Sequence, residues 1–207
     1  MSNAELTSLL VLCTVTSFTP GPNTTLSTAL AANLGLRHAL TFVVSVPVGW
    51  GLLFILCAGG LGATVVAMPA ARFGIQVLGV GYLLWLAFKL FNTDALSALN
   101  TNQLSVTFWQ GVLLQFLNIK AWMLALTVVA GWLAGRADAY ERLTIILPLM
   151  LLFGLCSNLA YASIGSYLRE WLGGPYVDSI GSALRLRWFN RSMAVVLVIT
   201  AAWMITF

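Results

Sequence analysis

Apolar residues run almost unbroken along this chain, and sparse polar or turn-forming positions divide it into six stretches of helical length. They are Leu6 to Leu30, Ala39 to Val66, Phe73 to Phe91, Phe108 to Leu133, Leu143 to Tyr167 and Trp188 to Phe207. About 20 mainly apolar residues carry a helix across the hydrocarbon of a bilayer. The pattern therefore predicts an all-α integral membrane protein with six transmembrane helices. The second stretch exceeds what a span needs, and Pro47, between Ser45 and Gly49, offers a place for it to bend. The longest connection, Leu168 to Arg187, carries Gly173, Gly174 and Pro175 and reads as a loop or surface segment. No room is left for a soluble catalytic domain, so residues 1–207 read as a single transmembrane domain.

Two stretches carry polar residues where lipid-facing helix would be apolar. In the first, Thr19-Pro20-Gly21-Pro22-Asn23 places two prolines around a glycine. Each proline removes a backbone N–H, so nearby carbonyls lose their intrahelical donors. At membrane depth such groups are tolerated only where protein or a water-filled cavity covers them. Thr19 and Asn23 can supply part of the missing bonding, and Asn23, Thr24 or Thr25 can cap a restarted helix. In the fourth stretch, Gln115, Asn118 and Lys120 lie near the middle. A lysine there costs at least a few kcal/mol if it faces lipid, so Lys120 is expected to face a protein-lined interior and to have a partner. Lys89, near the end of its stretch, can reach the headgroups instead.

Composition supports lipid as the solvent: 60% of residues are hydrophobic and 8% charged, against about 25% charged in soluble domains. Ala29 to Ala32 resembles a signal-peptide cleavage site, but no Lys or Arg precedes it and Glu5 is acidic, so the first stretch is read as retained. If connections alternate sides, Arg37, Lys89, Arg169, Arg185, Arg187 and Arg191 share one side and Arg72, Arg136 and Arg142 the other. The positive-inside rule places the first group in the cytoplasm and both termini outside. No run of Lys and Arg forms a phosphate-binding stripe, so no nucleic-acid partner is implied.

Catalysis finds little support. Every acidic residue lies at or beyond a stretch end, so paired intramembrane carboxylates are missing. The single histidine, His38, sits in the first connection, and neither H-E-x-x-H nor G-x-S-x-G occurs. Cys13, Cys57 and Cys156 fall in separate stretches without a C-x-x-C pair, and read as packing residues. No metal site, cofactor site or ATP-binding P-loop is apparent. A passive channel would need a continuous polar path rather than one central cluster. A metal-ion exporter would need membrane-embedded ligands at suitable spacing. Both are weaker alternatives.

The two polar breaks occupy corresponding places. Residues of about 1–92 and 104–207 each hold three stretches, with the break in the first of each. Three-helix units in one chain insert with opposite orientation, as in the inverted repeats of secondary transporters whose substrates bind at the midplane. Gly131 and Gly135, with the glycines at 49, 51, 59, 60 and 62, allow close helix packing, and could equally mark moving surfaces or a homodimer contact.

At these residues the chain resembles the LysE/RhtB-type amino-acid exporters, small proteins of the bacterial inner membrane. The T-P-G-P-N signature stands at Thr19 to Asn23. The family's third-helix pattern resembles Gly79-Val80-Gly81-Tyr82-Leu83 through Lys89. F-x-x-G followed by N-P-K corresponds to Phe108 to Gly111 and Asn118-Ile119-Lys120. Ile119 replaces the usual proline, which leaves the continuity of the fourth helix open. The Q-F-x-N-x-K form is similar to the branch that exports cysteine and O-acetylserine.

The resemblance implies a multi-pass exporter of small neutral amino acids or derivatives, of the cysteine/O-acetylserine, homoserine or threonine class, driven by the proton gradient. Binding or translocation then falls to Thr19, Pro20, Gly21, Pro22, Asn23, Gln115, Asn118 and Lys120. Packing or gating falls to Pro47, Gly79, Gly81 and Tyr82. Lys120 or helix N-terminal N–H groups would hold the substrate carboxylate, and the amide oxygens of Asn23 and Asn118 with freed carbonyls near Thr19 would receive its ammonium. With no carboxylate in the stretches, a cationic substrate lacks a counter-charge. Lys120 is the candidate proton carrier, with His38 behind it.

Overall fold

The computed structural model describes residues 1–93, 105–173 and 180–206, and among them regular structure is entirely helical. In chain order the helices are α1 (Asn3–Phe18), α2 (Pro22–Leu34), α3 (Leu36–Ala58), α4 (Leu61–Ala67) and α5 (Pro69–Phe91), then α6 (Phe108–Leu117), α7 (Ile119–Val128), α8 (Ala139–Gly173) and α9 (Ile180–Ile205). A π-helical turn, Val129–Leu133, extends α7.

Among the described residues, α3, α5, α8 and α9 are long and apolar enough to cross a membrane, and α6 with α7 makes a fifth span if the pair is counted as one. At 16 and 13 residues, α1 and α2 are each shorter than a span needs.

Helix starts follow local chemistry. Ser2 and Glu5 form a reciprocal capping box before α1, and Thr107 and Gln110 form another before α6. Pro22 and Pro69 stand in the first turns of α2 and α5, where a missing N–H is harmless.

The second stretch keeps Pro47 inside an uninterrupted α3 and breaks farther on, at Gly59 and Gly60, where the left-handed backbone of Gly60 (φ 94°) starts α4. One expectation is corrected. The connection expected from Leu168 to Arg187 is helical over most of its length. Leu168 to Leu172 contains no breaker and continues α8, while α9 begins at Ile180. Gly174, Pro175, Asp178 and Asp94 lie outside the described residues.

The buried apolar side chains form two separate clusters. One joins α2, the start of α3, the end of α5 and much of α9 around Leu26, Phe42, Leu90 and Leu197. The other joins α1, the end of α3, α7 and the start of α8 around Leu9, Phe54, Ala125 and Ile146. α2 lies mostly on α8, α5 on α9, and α3 on both α6 and α8. Glycines permit the closest of these approaches. A β-carbon at Gly165 would come within 2.2 Å of the Thr28 carbonyl oxygen, and one at Gly79 within 2.0 Å of that of Leu117. By contrast Gly81 and Gly131 face open space, so no close neighbour requires glycine there.

A half-buried and a fully buried amide tie the elements where apolar packing alone would not specify register. Asn33 and Asn190 exchange hydrogen bonds of 2.7 and 3.0 Å between α2 and α9, and Asn190 also donates to the Thr93 carbonyl at 3.1 Å.

Candidate functional site

Between the two apolar clusters lies a polar layer, built where both helix interruptions meet. In the first, α1 ends at Phe18 and α2 begins at Pro22. In an unbroken helix the Phe18 carbonyl would receive the N–H of residue 22, which proline lacks. It accepts instead from the Tyr161 hydroxyl at 3.0 Å. The Thr19 carbonyl receives Lys120 Nζ at 3.3 Å. The Gly21 N–H is held by Thr24 Oγ1 at 2.9 Å. Gly21 itself is extended (φ −170°), a conformation open to any residue. A β-carbon there would meet Lys120 Nζ at 3.6 Å, an ordinary van der Waals contact, so Lys120 passes directly beside this turn without requiring glycine in it.

The second interruption needs no proline. Asn118 adopts an extended backbone (φ −96°, ψ 104°), and α6 and α7 meet at a bend of 68°. Its side-chain oxygen accepts the Lys120 N–H at 3.1 Å as the N-cap of α7. The Phe116 carbonyl, left without that N–H, accepts the Trp122 indole at 2.8 Å. The fourth stretch is thus broken as the first is, with asparagine and tryptophan making up the backbone bonding. The Asn118 amide oxygen gives one of its two lone pairs to this cap.

Asn23 and Gln115 join the two interruptions. Asn23 Nδ2 donates to Gln115 Oε1 at 2.9 Å, and Gln115 Nε2 returns the bond to Asn23 Oδ1 at 3.1 Å. Gln115 is fully buried and also donates to the Gly111 carbonyl. A β-carbon on Gly111 would collide with Ser45 Oγ at 1.9 Å, so α3 and α6 are pressed together beside this pair.

A cavity of about 80 Å³ opens in this layer. Thr19, Gly21, Pro22, Asn23, Gln115, Asn118 and Lys120 line it, as does Pro47, whereas Pro20 is exposed and off the lining. Gly79, Gly81 and Tyr82 do not line it. Tyr82 stacks on Trp85 at 5.5 Å. The sequence reading did not anticipate the opposite wall, where α3 supplies Trp50 and α8 supplies Met150, Ser157 and Asn158. Asn158 is 3% exposed, accepts from Ser27 Oγ at 3.0 Å and donates to the Gly154 carbonyl at 2.8 Å. A lone amide midway along an apolar stretch was the signal available for it.

Among the described lining residues Lys120 is the only charged side chain, and no Asp or Glu faces the cavity. No group of three His, Cys, Asp or Glu able to hold a metal ion occurs among the described residues. The ion pairs lie elsewhere: Glu5 meets Arg136 and Arg142 at 3.2 and 3.1 Å, and Arg142 also holds Asp138 at 2.8 Å.

Three relatives named cysteine/O-acetylserine efflux protein are each 28% identical to this chain, over 73% of it and 77% of their own length. They come from Salmonella choleraesuis (strain SC-B67), Escherichia coli O1:K1 / APEC and Salmonella typhi. No solved structure matches the chain significantly. A family model described as LysE type translocator matches residues 14–207. The chain therefore belongs to the LysE family of translocators, membrane transport proteins rather than enzymes.

Proposed function

We propose that this chain is a secondary exporter of small neutral amino acids or their derivatives, in the class of cysteine and O-acetylserine, working across the bacterial inner membrane. The observation that carries this reading is the composition of the cavity at the two helix interruptions: one cation, several amides and hydroxyls, and no facing carboxylate. A zwitterion needs a cation for its carboxylate and neutral acceptors for its ammonium. Lys120 Nζ serves the first need. The Thr19 carbonyl, which Lys120 contacts in this structure, is released to serve the second when Lys120 turns to the substrate. A cationic substrate would instead place like charge beside Lys120, with no counter-ion in the lining.

The transport architecture is six spans in two inverted repeats, with α1 and α2 together as the first span and α6 and α7 as the fourth. The helix packing supports it. Exchanging the halves maps the α3–α8 and α5–α9 pairs onto themselves, α2–α8 onto α7–α3, and α3–α6 onto α8–α1, and each of these pairs is in contact. Burial differs between the two parts of the first span. Leu26 to Ala32 of α2 are all buried, whereas α1 buries only Leu9 and Cys13. With both termini outside, the tightly packed side is the cytoplasmic one, and this conformation is closed inward. Export is driven by the proton gradient, with Lys120 as the carrier.

The test is a mass-spectrometric profile of amino acids released by cells expressing the intact chain or Asn23→Ala at matched membrane level. Accumulation of one or a few small neutral amino acids with the intact chain alone is the expected result. Coincident profiles would reject the reading.

A further inference from the structure

Trp50 is 8% exposed, lines the cavity, and stacks on Phe54 with ring centroids 5.0 Å apart and planes at 13°. Its indole N–H is buried and finds no acceptor among the described residues. The other lining amides have partners: Asn23 and Gln115 bond each other, Asn158 bonds Ser27 and Gly154, and Asn118 caps α7. A buried donor left without a partner is costly in a low-dielectric interior, and phenylalanine would fill much of the same volume without that cost. The stack on Phe54 restricts the ring from turning elsewhere for an acceptor. Around it Ala121, Leu124 and Met150 give this part of the lining an apolar character. The Cys13 thiol, 3.0 Å from Met150 Sδ, backs that wall from α1.

We propose that the Trp50 indole N–H is a specificity-determining donor of the cavity, directed at a hydrogen-bond acceptor on the substrate's side chain. The inference rests on the exporter reading and deepens it. Lys120 and the amide layer recognise what all amino acids share, and Trp50 separates those with a hydroxyl, thiol or acyl oxygen from aliphatic ones of the same size. A site built to hydrogen-bond one group discriminates against its apolar isostere far better than a plain apolar pocket does, because the isostere leaves the donor unpaired.

The experiment uses the full chain in proteoliposomes. It compares transport of serine with that of 2-aminobutyrate, in which a methyl group replaces the hydroxyl, and of O-acetylserine with an aliphatic amino acid of similar length. Wild type is expected to favour the acceptor-bearing member of each pair by roughly tenfold or more in kcat/KM. Trp50→Phe, which keeps a ring on Phe54 but removes the N–H, is expected to bring each ratio close to one. Phe54→Leu loosens the same stack while keeping the N–H, and is expected to preserve the ratios. Equal transport of both pair members by wild type overturns the proposal without need of any variant. So does an unchanged ratio in Trp50→Phe. If wild type carries no amino acid at all, the exporter reading falls and this inference with it.

Discussion

The Tyr161 hydroxyl, on α8, donates at 3.0 Å to the Phe18 carbonyl at the end of α1, in place of the N–H that Pro22 cannot supply. The break in the first half of the chain is thus completed by the second half, and the two cannot be understood separately. Tyr161→Phe is expected to lower stability by about 1 kcal/mol, the usual net worth of one such bond. Melting in a single detergent would show this as a depressed Tm, and an unchanged Tm would mean that the Phe18 carbonyl is satisfied another way.

Ile119 is the first residue of α7, and Asn118 before it has the extended backbone that a following proline favours. Ile119→Pro should therefore be accommodated, at a cost set mainly by the lost packing of a buried side chain. Ala125→Pro, in the interior of the same helix, should cost about 3 kcal/mol or more. Comparing the yield and Tm of the two variants checks the position of the break. Equal damage from both would argue for a continuous fourth helix.

The physical reasons decide what could be read from the sequence. The first interruption was legible because proline announces a lost donor wherever it stands. The second was not, because its break is made by the Asn118 cap and the Trp122 indole bonded to the Phe116 carbonyl, and that indole contact exists only once the chain has folded. Apolar periodicity located the long helices but gave no sign of the break in the second stretch, which is made by the left-handed backbone of Gly60, while Pro47 is absorbed within α3. The α8 wall escaped notice because Ser157 and Asn158 lie inside an otherwise apolar run, with nothing nearby in sequence to mark them as facing Ser27.

Asn23 and Gln115 each satisfy the other, so removing one strands its partner in a buried layer. Asn23→Leu and Gln115→Leu are each expected to destabilise by about 1–3 kcal/mol, and the double variant by less than the sum. A double-mutant cycle of unfolding measurements reads the coupling directly. Strict additivity would show that the two amides do not depend on each other.

At the terminal side of the bundle, the Ser2 backbone N–H holds the Glu5 carboxyl below its ordinary range, with Arg142 adding to the effect. Arg142 does the same to Asp138. A lowered folded-state pKa means that the unfolded chain takes up protons first as pH falls. Their contribution is therefore fully present above the ordinary carboxylate range and is lost as pH drops below about 4. Tm is expected to be flat from neutral pH to about 5 and to fall below that, with a weaker acid response in Glu5→Gln. The same acid response in wild type and variant would remove Glu5 from the explanation.

The central claim is that Lys120 receives the carboxylate of a zwitterionic substrate. The direct measurement is transport of a small neutral amino acid by the reconstituted chain, challenged with the same amino acid, its methyl ester and the corresponding decarboxylated amine. The account predicts that only the zwitterion competes in wild type, and that Lys120→Gln raises KM by roughly tenfold or more, as loss of a charge-assisted bond requires. Effective competition by the ester, together with an unchanged KM in Lys120→Gln, would contradict it.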